Sequence, residues 1–124
     1  MDHSAEINLQ MFARNAGTTM TFSSGSFVFK ECDTGNCVYI AQSGLIEIVA
    51  GDKVVDVCGP NDAMGLSTVI DGGLHTASAR VRETAEISIV DELKFRFMFD
   101  EVLNFALYIM KAMTHRIRAM REVM

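Results

Sequence analysis

Glycine is confined to the middle of this chain, and its spacing there limits what the chain can fold into. All nine glycines fall between Gly17 and Gly73. From Gly25 they recur at Gly35, Gly44, Gly51, Gly59, Gly65 and the Gly72-Gly73 pair, a beat of six to ten residues. Glycine supplies the positive-φ positions of tight turns, so the beat marks turns between short strands. The segments between the turns alternate as strands do. Residues 38–42 and 45–49 flank Ser43-Gly44, a two-residue hairpin signal. Residues 54–58 follow the Gly51-Asp52 turn, and residues 76–81 and 86–89 alternate small or apolar side chains with polar ones. Several short strands punctuated this way predict a mainly β sandwich or barrel.

The two ends read as helices. Ser4 caps a short N-terminal helix carrying Ile7 and Met11 on one side. Asp91 opens a helix over 92–99, and Asp100 opens a longer one running toward Met124. That last helix has two apolar stripes. Val102, Phe105, Ile109 and Ala112 suit packing against the barrel. Ala106, Met110, Met113, Ile117, Met120 and Met124 step by four and three, as a heptad seam does. One stripe is used within the domain; the second predicts a parallel homodimer through this helix.

The 124 residues make one domain, with strands over about 18–90 and C-terminal helices over about 91–123. A hydrophobic content of 49% excludes disorder. Cys32, Cys37 and Cys58 cannot all pair within one chain. With no secretory signal ahead of them, the expected compartment is a reducing cytoplasm. Apolar stretches are short and broken by charge, so no membrane span is expected. The final helix sets Lys111, Arg116, Arg118 and Arg121 against Glu122, in a chain whose net charge is −5. Cations at a helix C-terminus complement the macrodipole. No basic stripe extends across the rest of the chain, so direct DNA binding is not expected.

Catalytic chemistry has little to draw on. His3, His75 and His115 form no His-x-His pair, and three thiols do not complete a structural zinc site. No cysteine has a basic partner suggested by spacing. The expectation is a non-enzyme with no metal and no cofactor. The informative stretch is 59–79, where Gly65 turns the backbone, a short helical turn follows and a strand begins. Backbone amides at such a turn make an anion nest, to which Ser67 and Thr76 add hydroxyl donors.

This stretch resembles the phosphate-binding cassette of the cyclic-nucleotide-binding domain family. The resemblance extends through the 25–31 segment, Val38-Tyr39-Ile40 with Ser43-Gly44, the Gly59-Pro60 turn, and the tail helix with Met113 and Arg116. It implies an eight-stranded double-stranded β-helix, or jelly roll, with a short N-terminal helix and two C-terminal ones, the last long. In that family the last helix often forms the dimer. The candidate ligand-binding residues are then Gly65, Leu66, Ser67, His75 and Thr76.

The chain departs from the family at two of these positions. Where the cassette has a glutamate that accepts a hydrogen bond from the ribose hydroxyl, this sequence has Leu66, which cannot. Where it has an arginine that pairs with the cyclic phosphate, this sequence has His75, whose neutral ring offers one donor and no charge. A lost charge-assisted hydrogen bond costs roughly 1.5–3 kcal/mol, and each 1.4 kcal/mol is about tenfold in affinity. Three readings stand. The pocket senses a small anion other than a classically held cyclic nucleotide; or it is vestigial, and the domain dimerises or binds a protein; or it is an ordinary cyclic-nucleotide-binding signalling domain. A winged helix-turn-helix would follow the long helix in the family's transcription regulators, and the sequence ends at Met124. Oxygen-sensing relatives hold an iron–sulfur cluster on N-terminal cysteines, and none precedes Cys32.

Overall fold

A strand satisfies none of its backbone hydrogen-bonding groups by itself, and here the neighbours that do so are drawn from distant parts of the chain. The protein, seen in a computed structural model, is described over residues 9–101 and 103–123. Helix α1 (Leu9–Ala16) precedes strands β1 (Thr18–Phe22), β2 (Phe27–Phe29), β3 (Cys37–Ala41), β4 (Leu45–Ala50), β5 (Lys53–Cys58) and β6 (Ala63–Met64). Helix α2 (Leu66–Asp71), strands β7 (Ser78–Glu83) and β8 (Ala85–Asp91), and helices α3 (Glu92–Glu101) and α4 (Leu103–Val123) complete the order. The strands form two four-stranded sheets, β1-β8-β3-β6 and β2-β7-β4-β5. Every pairing is antiparallel. This is the eight-stranded jelly roll, with one helix before it and the long helix last.

The Ser43-Gly44 turn is not a hairpin. β3 pairs with β8, Tyr39 opposite Ile89, and β4 pairs with β5 and β7 in the other sheet. The amides of Gln42 and Ser43 both donate to the Glu86 carbonyl, at 2.7 and 3.3 Å, and the chain then crosses between sheets. Gly44 makes the crossing at φ +87°, with no room for a side chain: a Cβ there would lie 2.5 Å from the Thr84 carbonyl oxygen. A loop signal of the right composition therefore served a crossover. Gly51-Asp52 does close a hairpin, joining β4 to β5 with Ala50 opposite Lys53.

Two of the helix expectations change. In α1 the buried residues are Leu9 and Ala13, four apart, while Met11 is 63% exposed; Ser4 and Ile7 lie outside the described residues. Asp91 caps α3 as expected, its Oδ1 accepting from the Lys94 amide at 2.9 Å. Asp100, in contrast, sits inside the last turn of α3, and α4 begins at Leu103.

Two apolar cores result. One fills the roll, where Ile46, Ile48, Met64, Val81 and Ile87 meet between the sheets. The other lies outside the β3–β8 face, where Val38, Ile40 and Val90 pack against Leu9, Val69, Phe95 and Ile109 of the helices. β3 divides its side chains between the two: Val38 and Ile40 face the helices, Tyr39 and Ala41 the roll. A polar cluster pins α1 to the sheet. The Gln42 amide, 9% exposed, donates to the Gln10 carbonyl and to Ser88 Oγ at 2.9 Å each, and its Oε1 accepts from Arg14 at 2.9 Å.

Candidate ligand-binding site

The site begins where β6 ends. Gly65 takes φ 77°, a left-handed conformation in which an L side chain costs about 1–2 kcal/mol. It is also hemmed in: a Cβ there would lie 3.1 Å from Tyr39 Cδ1 and 3.3 Å from His75 Cε1. The turn launches α2, whose Thr68 hydroxyl donates back to the Gly65 carbonyl at 3.1 Å. Arg96 of α3 donates to the Val69 carbonyl at 3.1 Å, tying the cassette helix to the helical layer. The chain then returns through His75 and Thr76 to β7.

Gly65, Leu66, Ser67, His75 and Thr76 all line one cavity of about 170 Å³. Phe29, Ile48 and Ala77 extend its wall from the roll. The remaining wall is α4, which contributes Ala112, Met113, Arg116, Ile117 and Met120. Three residues expected in a dimer seam thus face the domain's own pocket. Met113 and Met120 are half-buried against the two cores, and Ala106 is also half-buried. Met110 at 51% and Ile117 at 57% exposure remain accessible, and Leu107 joins them at 49%. A helix lying across a curved roll presents more than one stripe to it, which linear spacing does not reveal.

His75 is not a surface donor. It is 3% exposed, and its ring stacks on Phe29 at 3.9 Å between centroids, 11° from parallel. Its backbone is fixed on both sides: its amide donates to the Asp33 carbonyl at 2.9 Å, and its carbonyl accepts from the Cys32 amide at 2.8 Å. The absence of a side chain at Gly35 makes space for it, since a Cβ there would lie 2.6 Å from His75 Nε2. Burial lowers the imidazole pKa below its ordinary value, partly opposed by the charge of Asp33. The ring is therefore neutral at pH 7. Leu66 is 8% exposed and belongs to the core beneath the helices.

Sequence reasoning missed the ion pair made by the arginine that lines the cavity. Arg116 Nε donates to Asp56 Oδ2 at 2.7 Å, and its Nη2 lies 2.9 Å from Cys58 Sγ. The two charged side chains are 24% and 15% exposed. Burial pushes the Cys58 thiol up to about 12 despite the adjacent guanidinium, so the sulfur accepts as a neutral thiol. The signal was present: Met113, Arg116 and Met120 are spaced three and four apart, on one helix face. Among the described residues no cluster of three or more His, Cys, Asp or Glu is placed to hold a metal ion, and no helix is long and apolar enough to cross a membrane.

The architecture is thus a two-sheet roll whose glycine-turned helix and last helix share the walls of one cavity. Residues 19–102 match the family model described as "Cyclic nucleotide-binding domain", and the chain belongs to that family. A cGMP-dependent protein kinase of Eimeria tenella is 31% identical over 83 residues, which are 66% of this chain and 8% of the kinase. The Thermus thermophilus catabolite activator protein superposes with a TM-score of 0.77 at 19% identity, over 94% of this chain and 57% of that one. A cAMP-bound PfPKA-R gives 0.79 at 13% identity, over 88% of this chain and 38% of its own. A protein from work described as "A cyclic-GMP-dependent signalling pathway regulates bacterial phytopathogenesis" gives 0.75 at 16%, over 95% of both chains. At these identities the structural likeness is one of fold.

Proposed function

We propose that this domain is a non-catalytic regulatory module that senses a small anionic ligand in the cavity beneath α4, with weak or no classical binding of cyclic AMP or cyclic GMP. The observation that carries the reading is the pairing of a retained cassette geometry with altered cassette chemistry. Gly65 keeps its left-handed turn, and Ser67 and Thr76 line the cavity beside it. Leu66 and His75 occupy the positions from which the family holds ribose and phosphate. A stacked, neutral imidazole is a poor substitute for a guanidinium fork. The cavity, about 170 Å³, is also smaller than the roughly 300–1,000 Å³ typical of ligand pockets, which favours a ligand smaller than a whole nucleotide.

A thermal-shift screen of small phosphates, nucleotides and carboxylates tests this. The reading expects at least one anion to raise the melting temperature in a concentration-dependent way. A panel that leaves the transition unmoved, with cyclic AMP and cyclic GMP included, overturns it.

The second reading is a dimerisation module, and the exposed row on α4 favours it. Leu107, Met110 and Ile117 are three large apolar side chains on one helix with about half of each in solvent. Dimerisation and ligand sensing are compatible, because Leu107 and Met110 do not line the cavity and Ile117, which does, keeps more than half of its surface in solvent. In either role the reading places the chain in a reducing, cytoplasmic setting, where Cys32, Cys37 and Cys58 remain thiols.

A further inference from the structure

We propose that Arg116 of α4 is the residue that holds the ligand's anionic group, and that it does so by giving up its contact with Asp56. The inference deepens the reading of the cavity as an anion site and rests on it.

An oxyanion in a mostly apolar pocket needs a cation or several donors to replace its lost hydration. Arg116 is the cationic residue among those lining the cavity. His75 is neutral, buried and stacked on Phe29. The other arginines on the roll are engaged elsewhere: Arg80 and Arg82 both pair with Glu47, at 2.8 and 2.9 Å. The guanidinium has five N–H donors in a planar fork suited to phosphate or carboxylate, more than its contacts with Asp56 and Cys58 use.

The present partner is suited to being exchanged. Asp56 sits on β5 at the edge of its sheet, with its side chain 15% exposed. Its other oxygen, Oδ1, already accepts from the Val57 amide at 2.8 Å, so it keeps one hydrogen bond and gains water when Arg116 leaves. The second partner is a neutral thiol, a weak acceptor. An arriving oxyanion therefore competes with one partly solvated carboxylate. The exchange also has a mechanical consequence. The Arg116–Asp56 pair joins α4 to β5, so the exchange removes one tie between the long helix and the roll while Ile109, Met113 and Met120 stay packed.

The test is calorimetric titration of the full chain with cyclic AMP and cyclic GMP as phosphate probes and hexanoate as a carboxylate probe. The forms compared are wild type, Arg116→Gln, Arg116→Lys, Asp56→Asn and Asp56→Asn/Arg116→Gln, each checked for a cooperative melting transition. Arg116→Gln is expected to weaken binding by about tenfold or more, the loss of one charge-assisted contact. Arg116→Lys recovers part of it, and Asp56→Asn tightens binding several-fold. That gain disappears in the double variant, because it acts through a freed Arg116. Wild-type affinity in Arg116→Gln, or an undiminished Asp56→Asn gain in the double variant, overturns the inference while leaving the pocket a ligand site. Failure of every form to bind any of the three probes at millimolar concentration overturns this inference, while the ligand reading itself falls only if the thermal-shift panel is also unmoved.

Discussion

The imidazole of His75 lies parallel to the ring of Phe29, 3.9 Å away, at the point where the cassette loop rejoins the roll. The contact makes a cassette residue part of the aromatic packing that also includes Tyr39, 5.3 Å from Phe29. A residue that the family resemblance offers as a ligand contact is here a piece of the wall. Its chemistry follows from that position, and so does its dependence on pH.

Because burial holds the His75 pKa below its unfolded value, the unfolded chain binds the proton more readily in the window between the two. Stability therefore rises with pH up to the ordinary histidine range, near 6.5, and is lost as pH falls below it. Melting temperatures of wild type and His75→Gln measured between pH 5 and 7.5 check this. The wild type should show the steeper rise, and parallel curves would refute the assignment.

Reversing both departures from the family cassette should bring cyclic-nucleotide binding back at a cost in stability. Leu66→Glu with His75→Arg restores the acceptor and the cation, and an affinity gain of about tenfold or more for cyclic AMP or cyclic GMP is expected by titration. Both side chains are nearly buried, at 8% and 3% exposure. The ligand-free double variant should therefore be less stable by about 3 kcal/mol or more in urea. Equal, tight binding by wild type and variant would show that the departures do not matter.

Gln42 is the hub that seats α1, bonded to Gln10, Arg14 and Ser88 at once. Gln42→Ala removes all three of these bonds at a nearly buried position, and a loss of about 1–3 kcal/mol in chemical denaturation is expected. Thr19→Val removes only the 2.7 Å contact with Ser88 at the edge of this cluster. It should cost about 1 kcal/mol or less. Equal losses would mean that Gln42 does not organise the cluster.

Self-association through α4 predicts that charge on its exposed row separates the copies. Met110→Lys with Ile117→Glu should shift sedimentation from dimer to monomer without lowering the melting temperature of the monomer. Met113→Lys should instead destabilise the fold, because Met113 is packed against the helical core. A wild type that sediments as a monomer at high concentration removes the dimer reading.

Much of the architecture was legible in the glycine beat. The strands at β3, β4, β5, β7 and β8 fall within a residue or two of the alternating segments, because turn chemistry and side-chain alternation are both local. The two-residue β6 and the three-residue β2 were not legible, since strands that short carry no period. The pairing of β3 was also hidden. Ser43-Gly44 has the composition of a hairpin, and only the pairing of β3 with β8 and of β4 with β5 and β7 makes it a crossover. For the site, all five cassette residues do meet at one cavity, since they are near one another along the chain.

What the sequence determined by itself was whatever depends on neighbours in the chain: where turns fall, which segments alternate, that Gly65 can take a left-handed turn, and that Leu66 and His75 lack the functional groups of a classical cassette. Only the tertiary structure decided how those parts are used. It buried His75 against Phe29, a residue 46 positions away in the chain, and that burial disfavours the charged form of the ring. It turned Met113 and Met120 inward, left Met110 outside and set the half-exposed Ile117 between the two, dividing a single heptad stripe between a pocket and a surface. It also brought Arg116 onto Asp56, 60 residues apart, because curvature of the roll sets β5 beneath the last helix. Such contacts are fixed by the packing of whole elements, and no local spacing records them.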